Sequence, residues 1–140
     1  MNNGRLAQQM GFLLELDQLK SVFRQSKLLS VDRMENSAEH SWHLAMLAMV
    51  LAEYAPKDAS LSRVIKMALV HDIVEIDAGD TYIYDEQARE EVAEKENQAA
   101  QRIFSLLPKQ QAAEFRALWE EYEAKDTPEA RFAGALDRIQ

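Results

Sequence analysis

Residues 61–78, LSRVIKMALVHDIVEIDA, contain neither glycine nor proline and repeat apolar side chains at helical spacing. Ile65, Ala68, Leu69 and Ile76 fall on one face of the predicted helix. Asp72 takes the place in that stripe where the repeat calls for an aliphatic residue. A helix of this kind lays its stripe against a core, and a lone carboxylate there is too costly to keep ionised. A buried Asp is therefore paired, hydrogen-bonded or bound to a metal. Any fold this chain adopts must supply one of those partners.

The rest of the chain reads the same way. It has 140 residues, 47% apolar and 29% charged, which suits one soluble globular domain. Four glycines and three prolines punctuate a sequence rich in Ala, Leu, Glu and Gln, so the expected fold class is all-α, a bundle of about six helices. A first helix is expected from about Leu6 to Arg24, with Phe12, Leu16, Leu19 and Phe23 on one face. Residues 25–36 read as an irregular connection. The second helix is expected from Ser37, as its N-cap, to about Tyr54, before Pro56. His40, Leu44, Leu47 and Leu51 share one face of it, so His40 stands at the head of a core stripe.

The third helix starts near Ser60 or Leu61 and stops by Gly79. A fourth covers roughly Asp85 to Leu107. Pro108 opens a fifth, with Phe115, Trp119 and Tyr122 on one side, and Thr127-Pro128 caps a sixth. On that last helix Ala130, Ala133 and Asp137 lie together. No strand is expected.

Composition also excludes functions. The longest apolar run, LAMLAMVLA at 44–52, is too short to cross a bilayer, and no signal-peptide pattern follows Met1. A net charge of −8 argues against a general nucleic-acid surface. With no cysteine there is neither a disulfide framework nor a thiolate metal site, which is compatible with a reducing cytoplasm.

His71 adjoins Asp72, and His40 and Asp137 offer a second imidazole and a second carboxylate from other helices. Converging on one ion, these would make a sulfur-free nitrogen and oxygen set suited to Mn, Co, Fe, Ni, Zn or Mg. The spacing alone is loose, and a paired buried Asp answers the same pattern.

ENSAEHSWHLAMLAM, HDIVEIDAGD and ALDRIQ, taken together from about residue 10 to the chain end, resemble the HD-domain phosphohydrolase superfamily, and within it the small 5′-deoxynucleotidase-like members. The resemblance implies one divalent ion held by His40, His71, Asp72 and Asp137. It implies a catalytic Glu75, three residues after the Asp of the pair, and a role for Asp80 in catalysis or sugar contact. No histidine follows residue 71, which favours a single ion over the two-metal members of the superfamily. His43 reads as a core histidine or a neighbour of the ligands.

The implied substrate is a phosphate monoester, a (deoxy)nucleoside 5′-monophosphate. The implied enzyme is a cytoplasmic homodimer with no nucleic-acid or membrane partner. Lys20, Arg24, Lys27 and Arg33 lie just upstream of His40; Lys27 and Arg33 are the candidate phosphate contacts, against a solvated basic face as the alternative. The best-understood deoxynucleotidases carry an Arg-Trp pair where this chain has Gln25 and Ser26, which sets nucleotide preference apart. Residues 1–140 read as one HD domain. Family members usually continue past the last Asp, so a domain truncated at its C-terminus is expected. Two rivals stay open: an HD hydrolase of another phosphate ester or anhydride, and a non-catalytic, metal-stabilised binding or regulatory module.

Overall fold

The computed structural model describes residues 3–79 and 86–140. Its helices are α1 (Asn3–Leu16), α2 (Ser37–Val50), α3 (Leu61–Val70), α4 (Glu75–Ala78), α5 (Glu86–Phe104), α6 (Lys109–Ala124) and α7 (Pro128–Ile139). The fold is all-α, as expected, with one small addition: an antiparallel hairpin of β1 (Phe23–Lys27) and β2 (Met34–Asn36). No helix among the described residues is long and apolar enough to cross a membrane.

The hairpin corrects two expectations, the reach of the first helix to Arg24 and the absence of strands. α1 ends at Leu16, a 3-10 turn covers Asp17–Ser21, and Val22 is already extended at φ −94° and ψ 109°. The strands are mostly exposed and carry polar residues on both faces, so they lack the period-2 apolar signal by which a half-buried strand is recognised. A lone two-stranded ribbon is marginal in water. This one is tied down by Ser37 N–H donating to Val22 O at 2.8 Å and by the Arg24–Glu35 ion pair between its strands.

α2 is capped by Asn36 rather than Ser37. The Asn36 side chain accepts from Glu39 N–H and the Glu39 carboxylate accepts from Asn36 N–H, each at 2.9 Å, which satisfies two end donors reciprocally. This box fixes the first turn of α2, where His40 sits. Thr127 caps α7 as expected, accepting from Ala130 N–H at 3.1 Å with Pro128 following.

The predicted third helix is broken in two. Between α3 and α4 the chain tightens into i→i−3 bonds, including Ile73 N to Val70 O at 3.1 Å and Glu75 N to Asp72 O at 3.0 Å. The His71 ring occupies the Ala68 carbonyl at 2.7 Å, the acceptor an unbroken α-helix would offer to Asp72 N–H. Gly79, at φ 75°, ends α4 in the left-handed region. The buried stripe of α3 is also turned by about one position: Val64, Met67, Ala68 and Val70 are buried, while Leu69 is exposed.

The core joins α1, α2, α3, α5, α6 and α7 around Phe12, Leu44, Met67, Ile103, Phe104 and Leu136. Phe12 meets Phe115 edge-on, with centroids 5.5 Å apart. Ala130 and Ala133 are fully buried on α7, and their small side chains let that helix approach α2, α3 and α6 closely. That approach delivers Asp137 to the interior. Trp119 and Tyr122 are buried, as their stripe suggested, whereas Trp42, Met46 and Met49 lie exposed along the outer side of α2.

Candidate metal centre

Three helices converge where the sequence scattered its polar residues. His40 comes from the capped first turn of α2, and His71 closes α3 with Asp72 beside it. All three are buried. One ligand atom from each lies within 4.8 Å of the other two, the set among the described residues with that property. Asp137 joins from α7, its Oδ1 2.7 Å from His40 Nε2.

The protonation pattern can be read from the partners. His71 Nδ1 faces the Ala68 carbonyl, which can only accept, so Nδ1 carries a proton and Nε2 is the ring nitrogen turned inward. That Nε2 lies 3.3 Å from Asp72 Oδ1. Asp137 Oδ2 accepts from the Tyr122 hydroxyl at 2.7 Å, which leaves Oδ1 towards His40. Burial would push the Asp137 carboxyl up, but contacts with His40 and Tyr122, with the imidazoles nearby, hold it below the usual carboxylate range. Tyr122 goes the other way. Its burial and the adjacent Asp137 charge push the phenol up, so it stays a donor at neutral pH.

Does this donor set fit a cation? His40 Nε2, His71 Nε2 and Asp137 Oδ1 are all buried, and apart from the 2.7 Å approach of His40 Nε2 to Asp137 Oδ1 none has a hydrogen-bonding partner among the described residues. Each such atom costs roughly 1–3 kcal/mol when left unsatisfied. Buried nitrogen and oxygen donors gathered around one space are the arrangement a cation would satisfy. Two imidazole nitrogens and two carboxylates suit a borderline or hard divalent ion. Further negative charge surrounds it. Burial, and then repulsion from Glu123 and Asp72, push the Glu96 carboxyl up to about 7.

Glu75 is the first residue of α4, half-buried, its N–H bonded to Asp72 O at 3.0 Å. Asp80 lies outside the described residues. Lys27 is exposed and paired with Asp32 at 3.0 Å across the hairpin loop. Arg33 forks onto Glu39, one contact at 2.9 Å, on the outside of the ribbon. Arg24, by contrast, reaches the centre. Its Nη1 is 3.5 Å from Asp72 Oδ2 and its Nε 3.4 Å from Glu35 Oε1, and Glu35 in turn lies 3.5 Å from His40 Nδ1.

Three members of this arrangement escaped sequence reasoning. Glu35 and the inward role of Arg24 depend on the hairpin, which left no periodic trace. Tyr122 was legible only as part of an aromatic stripe. Its clue was chemical, because a buried phenol needs a partner for its hydroxyl.

The fold and the site together define a class: an all-α protein with a buried candidate centre of two histidines and two aspartates. Residues 16–140 match the HD domain, and the chain belongs to that family. It is 36% identical over 132 residues to a human 5′-deoxynucleotidase, covering 92% of this chain and 62% of the human one. A fission-yeast 5′-deoxynucleotidase, from Schizosaccharomyces pombe, is 30% identical over 147 residues, covering all of this chain and 72% of the yeast protein. Among solved structures, a predicted metal-dependent phosphohydrolase from Magnetospirillum magnetotacticum MS-1 superposes with a TM-score of 0.90. It is 55% identical, and the match covers 97% of this chain and 69% of that one. The chain thus spans less than two thirds of the length of the human relative.

Proposed function

We propose that this chain is a metal-dependent phosphohydrolase that cleaves a (deoxy)nucleoside 5′-monophosphate to nucleoside and phosphate. The observation that carries the reading is the convergence of His40, His71, Asp72 and Asp137, with buried ligand atoms left unsatisfied at its centre. These four residues would hold one divalent ion, from among Mn, Co, Fe, Ni, Zn and Mg. The 5′-deoxynucleotidase relatives support the substrate class.

When bound, the ion supplies Lewis acidity, lowering the pKa of water and polarising a phosphoryl oxygen. The chain's own residues do the rest. Glu75 accepts the proton of the attacking water and returns it to the leaving 5′-alkoxide, so the carboxylate ends the cycle as it began. Asp80 contacts the sugar or assists the same proton transfer. Arg24 meets the phosphate: its contacts to Glu35 and Asp72, at 3.4 and 3.5 Å, are long for charge-assisted bonds and can be exchanged for a dianion. Lys27 and Arg33, committed to Asp32 and Glu39, serve at most as outer basic charges.

The same reading carries a cytoplasmic homodimer, as the family resemblance implies. The absence of cysteine is compatible with a reducing compartment. Gln25 and Ser26, in place of an Arg-Trp pair, favour a second reading in which the substrate is another phosphate ester or anhydride.

The test is phosphate release from a panel of nucleoside monophosphates, using metal-stripped protein resupplied with Mn²⁺ or Co²⁺. Turnover that needs the ion and disappears in Glu75→Ala, with metal binding intact, is the expected result. Tight metal binding without turnover of any monophosphate would move the assignment to the second reading.

A further inference from the structure

Asp137 is the ligand that stands apart in this centre. His40 sits in a doubly capped first turn, and His71 is fixed by its own helix through Ala68. Asp137 is carried by α7, a third helix, and no capping box or bond to its own helix is seen to fix its side chain among the described residues. Its side chain is only about three-quarters buried, and no backbone donor among the described residues holds it. A carboxylate in that position can turn either oxygen outward or rotate towards solvent.

What restrains it is Tyr122, on a different helix. The hydroxyl donates to Oδ2 at 2.7 Å, so Oδ1 is the oxygen left facing His40 Nε2. The Tyr122 ring is itself held. It packs 4.8 Å from the His71 ring, centroid to centroid, and Lys125 Nζ stands 3.4 Å from its centroid as a cation–π contact. The Lys125 stem crosses α7 at Gly134, where a Cβ would lie 2.6 Å from Lys125 Cε. Gly134 thus leaves the channel through which Lys125 reaches the ring.

We propose that Tyr122 is a positioning residue for the metal, orienting the Asp137 carboxylate so that Oδ1 is presented beside His40 and His71. This rests on the metal centre proposed above. Hydrogen-bonding partners of metal ligands typically change affinity by roughly 10- to 100-fold when removed. A phenol that merely fills the core would have no such effect once its ring is retained.

The experiment is a double-mutant cycle in the full chain, read as the Mn²⁺ dissociation constant by electron paramagnetic resonance. Its members are wild type, Tyr122→Phe, Asp137→Ala and the double variant, with chelator melts reporting the fold of each. The expected result is that Tyr122→Phe folds and weakens Mn²⁺ binding about 10-fold or more, yet adds less than about twofold in the Asp137→Ala background. An unchanged constant in Tyr122→Phe, or an equal loss in both backgrounds, would overturn the inference. So would failure of Tyr122→Phe to fold, because the hydroxyl would then be supporting the core rather than a ligand. If wild type itself binds no Mn²⁺, the metal centre falls first and the inference falls with it, an outcome distinct from the other three.

Discussion

The His71 imidazole and the Ala68 carbonyl, 2.7 Å apart, settle two things at once: where α3 stops and which nitrogen of His71 faces the centre. The ring donates through Nδ1 to a backbone group one turn behind it. That bond orients the ring, turning Nε2 towards Asp72 with the His40 ring 5.5 Å away, centroid to centroid. The proposed ligand His71 is thereby oriented by its own helix, with no outside side chain required.

That double duty can be separated. An Asn amide nitrogen can occupy nearly the position of the imidazole Nδ1, but Asn has nothing at Nε2. His71→Asn is expected to keep the Ala68 bond and lose the ligand. In chelator, its unfolding free energy should stay within about 0.5 kcal/mol of wild type, while His71→Ala loses about 1 kcal/mol more through the unpaired carbonyl. Neither variant should show the Mn²⁺-induced stabilisation expected of wild type, about 2.7 kcal/mol at an ion concentration 100 times the dissociation constant. Urea melts with and without Mn²⁺ check both halves. Full metal stabilisation in either variant would remove His71 from the ligand set.

The parts of this molecule that were legible in the sequence are those where one residue violates its local pattern. Asp72 in an apolar stripe and His40 at the head of another announce themselves, and both are buried. Thr127-Pro128 marks a helix start by local chemistry alone, and the structure caps α7 there. The hairpin was illegible for the opposite reason. Its exposed, polar strands exist through pairing with each other and through Arg24–Glu35, a relation between positions eleven apart that no periodicity records. The break after Val70 was hidden too, because HDIVEIDA continues a helical pattern. Competition for the Ala68 carbonyl, which a residue count cannot see, decides it. Tyr122 and Asp137 are fifteen residues apart on separate helices, so their bond required the packing of α6 on α7.

The acidic groups give the metal-free protein a pH response with two opposed parts. Asp137 is held below its ordinary value, so its contribution is present above the unfolded-state pKa near 3.9 and is lost as the pH falls through the folded value. Glu96 is pushed up to about 7. The folded state therefore binds the Glu96 proton more tightly than the unfolded chain, and stability declines as the pH rises from the unfolded value near 4.5 towards 7. Glu96→Gln removes that penalty. In chelator it should melt higher than wild type at pH 8 and show no such advantage at pH 4. Thermal midpoints across that range test the sign, and a Glu96→Gln gain that is the same at both ends would show that ionisation of Glu96 is not the cause.

Glu75 is carried by a short helix that depends on its neighbours. α4 is four residues long, far too short to be stable by itself. Its outer side is gripped by Arg102 of α5. The guanidinium meets Asp77 through Nε at 2.5 Å and Nη2 at 2.8 Å, and the same Nη2 reaches Glu15 of α1 at 2.5 Å. Single exposed ion pairs contribute little, but a bidentate pair shared with a second carboxylate is the geometry in which they count. None of these side chains belongs to the proposed ligand set, so Arg102→Ala should leave the Mn²⁺ dissociation constant within about twofold of wild type. It should loosen the placement of Glu75. If Glu75 carries the proton, kcat falls by roughly tenfold, equivalent to about 1.4 kcal/mol in the barrier. Arg102→Lys keeps the charge without the fork and should recover only part of the loss. Matched fluorescence melts, Mn²⁺ titrations and turnover on the best monophosphate of the panel would decide it. A variant that loses metal affinity and turnover together would show that Arg102 supports the whole bundle rather than α4.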